Sequence, residues 1–138
     1  MGSILVVQSD PDTRDRLGTA LREAGHEVIS AFAVRDALLR LREGGIDMVL
    51  IDSYDPRVGV MELARHMESL PDTPPLVLVS GSPHAPEISA RIGAAAFIPK
   101  PYEASELVVA VDRVAGAVRP VRTFDEEEPT GPVRYTGS

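Results

Sequence analysis

The fold of this chain is decided by one stretch, Asp47-Met48-Val49-Leu50-Ile51-Asp52. Its four central residues are apolar without alternation, which is typical of a strand that is covered on both faces. Three further apolar runs of this kind occupy residues 4–7, 76–79 and 96–98. A weaker strand is predicted over residues 27–32, and we expect it at the edge of the sheet. These runs predict a parallel sheet with helices on both sides.

The segments between the strands show the spacing of helices, with apolar residues three and four positions apart. Asp10 followed by Pro11 predicts an N-cap with proline at the first helical position. Pro83 and Pro86 delay the fourth helix, which we predict over residues 87–92. Strand and helix alternate five times, so we predict one α/β domain. Its doubly wound, five-stranded parallel sheet would have the flavodoxin-like strand order 2-1-3-4-5.

Composition excludes several classes of function. The 138 residues contain no cysteine, so disulfides, thiolate nucleophiles and zinc–thiolate sites are excluded. The formal net charge of -7 argues against nucleic acid as a partner. No apolar run approaches the ~20 residues that a membrane span requires. We therefore expect a cytoplasmic protein that binds neither nucleic acid nor membrane.

The last part of the chain differs from the rest. Residues 119–138 hold three prolines and an acidic run at 125–128, and they lack apolar periodicity. This composition is typical of a tail without a core of its own. We predict a domain over residues 1–118 followed by an acidic, proline-containing tail, either inert or a short docking peptide.

Polar residues follow the predicted strands where the carboxyl ends of a parallel sheet meet. Gln8 and Ser9 follow the first strand, Asp52 and Ser80 close the third and fourth, and Lys100 follows the fifth. Functional groups gather at this edge in doubly wound sheets. A carboxylate, a hydroxyl and an ammonium together suit acyl phosphate chemistry, because the carboxylate attacks phosphorus while the other two hold the phosphoryl oxygens.

The chain resembles the receiver domains of bacterial two-component signalling over about residues 3–117. The resemblance rests on four motifs in their usual order and spacing, at residues 4–12, 47–56, 75–81 and 93–101. Short apolar strands that end in Asp are common, so each motif alone is weak and the set is specific. The resemblance implies a signalling module and not an enzyme, with a histidine kinase or a downstream target as protein partner, and it leaves a homodimer open.

The same resemblance implies a role for each matching site residue. Asp52 takes the phosphoacceptor position of the phosphorelay. Ser80 and Lys100 match the hydroxyl and the ammonium that contact the phosphoryl group. Phe97 matches the aromatic ring that turns inward when the domain switches. The peptide bond before Pro101 is often cis in this family.

Two positions depart from the family pattern and lower the expected metal affinity. Receivers usually carry two adjacent acids after the first strand, which help to bind Mg²⁺, and here these positions are Gln8 and Ser9. Mg²⁺ favours carboxylate oxygens, so losing two of three acids weakens the site. We expect no metal, or at most weak binding at Asp52, and no other cofactor. The three histidines lack ligand spacing and are assigned to surface or loop roles.

Two residues after the phosphoacceptor position are further departures. Tyr54 lies where the family's backbone carbonyl is a metal ligand, and its ring is positioned to cover the pocket. Asp55 stands in a place that is usually Met. Asp55 and Asp10 offer spare carboxylates, but Asp10 is better explained as the helix cap.

Three hypotheses for function follow from these residues. The first is a stand-alone atypical receiver, a pseudo-receiver that acts as a protein-interaction module because Gln8 and Ser9 impair Mg-dependent phosphorylation. The second is a single-domain response regulator that accepts a phosphoryl group on Asp52. The third is a small-molecule binder or hydrolase on a flavodoxin-like scaffold. No glycine-rich phosphate loop follows the first strand, so the third ranks last.

Overall fold

The computed structural model describes residues 2–57 and 59–117. The predicted tail at 119–138 lies outside the described residues. Five strands alternate with five helices along the chain. The strands are β1 (Ser3–Val7), β2 (Glu27–Ala31), β3 (Met48–Asp52), β4 (Leu76–Ser80) and β5 (Ala96–Pro99). The helices are α1 (Pro11–Glu23), α2 (Val34–Glu43), α3 (Val60–Glu68), α4 (Ala85–Ile92) and α5 (Ala104–Ala117).

The five strands form one parallel sheet in the order β2-β1-β3-β4-β5, which confirms the predicted flavodoxin-like arrangement. The weak strand β2 lies at an edge, as expected. In the register, Asp52 is level with Val79, and Ser80 is level with Pro99. The carboxyl ends of β3, β4 and β5 therefore meet at one edge of the sheet. The Lys100–Pro101 peptide bond is cis.

Each face of the sheet carries its own hydrophobic core. On one face, Leu5 and Val7 of β1 belong to the cluster that includes buried residues of α2, α3 and α4. On the other face, Ile4 and Val6 belong to the cluster that includes buried residues of α1 and α5. Alternate residues of a strand point to opposite faces. Covering both faces therefore requires the continuous apolar runs seen in the sequence.

Helix α1 begins at the residue that the sequence indicates. Asp10 has extended backbone geometry, and its carboxylate accepts a hydrogen bond from the Thr13 backbone N–H at 2.9 Å. This side chain satisfies one of the N–H groups that a helix leaves unpaired at its start, so the predicted cap is confirmed.

Helix α4 begins at Ala85, so the prediction of a start at residue 87 is wrong by two residues. Pro86 lies in the first turn of the helix. The first turn has no intrahelical partner for its N–H groups, and the missing N–H of proline costs nothing there. Pro86 is therefore part of the helix and does not delay it.

The assignment of His26 to a surface or loop role is right for its place in a loop and wrong for its exposure. His26 lies between α1 and β2 but is only 7% exposed. Its Nε2 lies 2.7 Å from Oδ1 of Asp112 on α5. A residue 86 positions away supplies the polar partner that a buried imidazole requires.

No helix in the described part of the chain is long and apolar enough to cross a membrane.

Candidate functional site

An ion pair between Asp52 and Lys100 occupies the carboxyl edge of the sheet. Oδ1 of Asp52 lies 2.7 Å from Nζ of Lys100. The Asp52 side chain is fully buried, whereas that of Lys100 is 38% exposed. Apart from this ion pair, neither carboxylate oxygen has a hydrogen-bond partner among the described residues. The structure therefore brings together the predicted acid and the predicted ammonium.

Ser80 and Phe97 lie on the strands beside this pair. Ser80 is buried, and its Oγ accepts a hydrogen bond from the Ser82 backbone N–H at 3.1 Å. The Ser80 carbonyl accepts a hydrogen bond from the Lys100 N–H at 3.1 Å, which ties the end of β5 to the end of β4. Phe97 is partly buried against the core on the α2–α4 face. A Cβ at Gly81 would lie 3.3 Å from the Lys100 Cβ, so the two chain segments approach closely.

Gln8 and Ser9, which follow β1, lie at the same edge. The Gln8 Nε2 donates a hydrogen bond to the Asp52 backbone carbonyl at 3.4 Å. The Gln8 Oε1 accepts a hydrogen bond from the Asp10 N–H at 2.9 Å. Ser9 is exposed, and its Oγ donates to the Gln8 Oε1 at 3.4 Å. These two positions present neutral polar groups beside Asp52.

The other two carboxylates near this edge already have partners. Asp10 accepts hydrogen bonds from the hydroxyl and the N–H of Thr13, and these bonds hold its pKa below 3.8. Asp55 accepts two hydrogen bonds from the Arg57 side chain, each 3.0 Å long, and one from the Arg57 N–H. These contacts likewise lower the pKa of Asp55. The helix cap and the contact with Arg57 thus account for these two carboxylates without a metal ion.

The sequence of residues 4–112 matches the family described as the response regulator receiver domain. This chain belongs to that family. The chain is 30% identical to the response regulator MprA of Mycobacterium sp. strain KMS, over 94% of its own length and 55% of that protein. It spans about half the length of the curated relatives it matches.

Solved structures of receiver domains show the same fold. The receiver domain of a signal transduction histidine kinase from Syntrophus aciditrophicus superimposes with a TM-score of 0.77 at 25% identity, over 91% of this chain and 98% of that one. The non-phosphorylated HemR receiver domain from Leptospira biflexa gives a TM-score of 0.75 at 26% identity, over 87% and 98%. Receiver domains are signalling modules that interact with histidine kinases and downstream effectors, and they bind Mg²⁺ when functional.

We call the edge that carries Asp52, Ser80 and Lys100 the receiver site. The ring of Tyr54 does not close this site in the structure. Tyr54 is 98% exposed. Two clefts of about 400 and 600 Å³ open at this edge, and Ser53, Tyr54 and Lys100 line both of them. Tyr54 thus stands at the boundary between the clefts with its ring in solvent, instead of covering Asp52 as the sequence suggested.

Tyr102 is a neighbour of the receiver site that the sequence analysis did not single out. The ring is half-buried against the core on the α1–α5 face. Burial raises the pKa of the Tyr102 phenol, and the negative charge of Asp52 raises it further. The available signal was its place two residues after Lys100, because a residue so close to the end of β5 faces the same edge.

The oxygen donors around Asp52 are few for a divalent metal. Within residues 2–57 and 59–117, no three His, Asp or Glu side chains are grouped closely enough to hold a metal ion. Beside the buried carboxylate of Asp52 lie two neutral oxygen donors, the amide of Gln8 and the hydroxyl of Ser9. One of its oxygens is already in contact with the Lys100 ammonium.

Proposed function

We propose that this receiver domain acts in signal transduction as a protein-interaction module whose Mg-dependent phosphorylation is impaired. The observation that carries the proposal is the buried Asp52–Lys100 ion pair beside two neutral residues, Gln8 and Ser9. The carboxylate that would accept the phosphoryl group is paired with the chain's own cation. Its negative charge is thereby compensated without a metal ion.

The donor set around Asp52 does not fit Mg²⁺ well. Mg²⁺ gives up its hydration shell reluctantly and is usually held by carboxylates that offset this cost. Here one carboxylate remains, and the Lys100 ammonium 2.7 Å from it repels a divalent cation. Without the metal, the charge of an incoming phosphoryl group is met by Lys100, and transfer to Asp52 becomes slower.

The proposed partner is a protein, either a histidine kinase or a downstream target. By analogy with the family, it would dock on the face formed by α4, β5 and α5. We also propose a cytoplasmic location and no nucleic-acid partner, given the net charge of -7. A homodimer through the same face is the other arrangement that such a surface permits.

The proposal is tested by intact mass spectrometry after incubation with acetyl phosphate, with and without Mg²⁺. Wild type, Asp52→Ala and the double variant Gln8→Asp/Ser9→Asp are compared. We expect little or no phosphate adduct on wild type, and a Mg-dependent adduct on the double variant because its acidic pair is restored. A Mg-dependent adduct on wild type that Asp52→Ala lacks would refute impaired phosphorylation.

One observation favours a second candidate, a response regulator that accepts phosphate on Asp52. Asp52, Ser80 and Lys100 come to the same edge of the sheet, which is the combination that acyl phosphate chemistry requires. The wild-type adduct described above would establish this function. The two candidate functions therefore predict different intact masses for the wild-type protein after incubation with acetyl phosphate and Mg²⁺.

A further inference from the structure

Gln8 lies where three strands and one helix meet. Its backbone N–H donates to the carbonyl of Ala31, the last residue of β2, at 3.0 Å. Its side-chain Nε2 donates to the carbonyl of Asp52, the last residue of β3, at 3.4 Å. Its Oε1 accepts from the N–H of Asp10, the cap of α1, at 2.9 Å. Gln8 itself directly follows β1, so one residue connects all four elements.

The backbone of Gln8 is also held from the side of α1. Nη1 of Arg14 donates a hydrogen bond of 2.7 Å to the Gln8 carbonyl, in a partly buried environment. A hydrogen bond with a charged donor is stronger than one between neutral groups. The main chain of Gln8 is therefore anchored to β2 and α1, which leaves its side-chain amide to span the gap to β3.

We propose that Gln8 is a positioning residue that joins the start of α1 to the end of β3 without a metal ion. In this role the amide provides the link that a divalent ion would otherwise make between the two segments. The inference rests on the proposed function, because it explains how an edge with a poor metal site keeps Asp52 in one arrangement. The domain would then present its partner surface independently of Mg²⁺.

The chemistry of the link requires glutamine. The amide contains one donor for the Asp52 carbonyl and one acceptor for the Asp10 N–H. Glutamate keeps the acceptor but loses the donor, and its charge would face a carbonyl oxygen. Asparagine keeps both groups but is one methylene too short to reach both partners. Ser9 provides a matched control, because it is adjacent and exposed, and its hydroxyl bonds to the Gln8 side chain and not to the Asp52 carbonyl.

Amide hydrogen exchange followed by NMR tests the link on the full chain. Gln8→Met removes both side-chain hydrogen bonds at nearly constant volume, and Ser9→Ala is the control. We expect exchange of the Asp10 amide to rise about five- to tenfold in Gln8→Met, as loss of one hydrogen bond implies, and to stay unchanged in Ser9→Ala. The Ser53 amide, bonded to the Val79 carbonyl at 3.0 Å, reports on the β3 end and should also exchange faster.

Gln8→Glu distinguishes between the two side-chain hydrogen bonds of Gln8, the one with the Asp10 N–H and the one with the Asp52 carbonyl. It should keep the Asp10 amide protected and raise exchange at Ser53 alone, a pattern that a general loss of stability would not produce. Should Gln8→Met fail to fold, Gln8→Asn makes the same test by shortening the side chain. Millimolar Mg²⁺ should leave the wild-type exchange pattern unchanged.

Three results would overturn the inference. The first is that the Asp10 and Ser53 amides exchange at the same rates in Gln8→Met as in Ser9→Ala. The second is a uniform rise across the domain in Gln8→Glu. The third is a Mg-dependent change in the wild-type pattern. Failure of the proposed function would be seen instead as a phosphate adduct in the mass spectrum, so the two failures are distinguishable.

Discussion

Replacing Lys100 with methionine tests the ion pair at the receiver site, because it removes the charge and keeps most of the side-chain length. The substitution leaves the Asp52 carboxylate fully buried with no partner among the described residues. The converse change, Asp52→Asn, leaves the Lys100 ammonium without its partner. That side chain is 38% exposed and turns into water at little cost. We therefore expect the two single substitutions to have very different effects.

The magnitudes follow from the burial of each partner. Breaking a buried ion pair by removing one partner costs about 3–5 kcal/mol. Solvent reaches Lys100, which lowers the expected cost of Lys100→Met to about 2–3 kcal/mol of unfolding free energy. For a domain of this size that corresponds to a fall in Tm of about 8–12 °C. Asp52→Asn should change the unfolding free energy by less than about 1 kcal/mol, since no buried charge is left unpaired.

The assay is urea denaturation followed by circular dichroism at neutral pH on wild type, both single variants and the double variant. Asp52→Asn/Lys100→Met contains neither charge, so it should recover most of the stability that Lys100→Met loses. The four free energies form a double-mutant cycle that isolates the coupling between the two side chains. Equal losses in the two single variants, or a double variant as unstable as Lys100→Met, would show that the carboxylate is not buried and paired as described.

Two further substitutions test other parts of the site. Tyr54→Ala should change the unfolding free energy by less than about 0.5 kcal/mol, because the ring is 98% exposed; thermal unfolding that shows a loss above about 1 kcal/mol would mean that the ring packs over the pocket. The Asp10 pKa lies below 3.8, so its carboxylate stabilises the fold above that value and loses the effect as the pH falls through the lowered pKa. Circular dichroism at a series of acidic pH values should therefore show that the stability of Asp10→Asn falls less with decreasing pH than that of wild type. An equal fall in the two proteins would contradict the role of Asp10 as the helix cap.

The order of the strands and the edge that carries the site were predictable from sequence. Continuous apolar runs specify strands covered on both faces, and the residues that end those runs are placed at one edge by the parallel arrangement. These two rules together predict that Asp52, Ser80 and Lys100 lie at one edge of the sheet. The contact between Asp52 and Lys100 was not predictable in the same way, because a place at one edge of the sheet does not decide whether a lysine is held against a carboxylate or left free.

The side-chain contacts were less predictable, for identifiable physical reasons. Burial of His26 depends on Asp112, which lies on a different helix far along the chain. The Tyr54 ring is in solvent although its position suggested a cover, because rotamers at strand ends are set by neighbours that spacing does not reveal. Gln8 was interpreted only as the replacement of an acid, so its hydrogen bonds with Asp10 and Asp52 were not predicted.

Lys100 is the only lysine in the 138 residues, and the other members of the 14 Lys and Arg residues are arginines. The ammonium 2.7 Å from Asp52 is therefore also the only side-chain amine in the protein. Reductive methylation with ¹³C-formaldehyde would place one side-chain isotope label at this contact and at no other side chain. The methylated Lys100 would thus give the one side-chain resonance of the label, and binding of a partner, of Mg²⁺ or of a phosphoryl group would appear as a change in it.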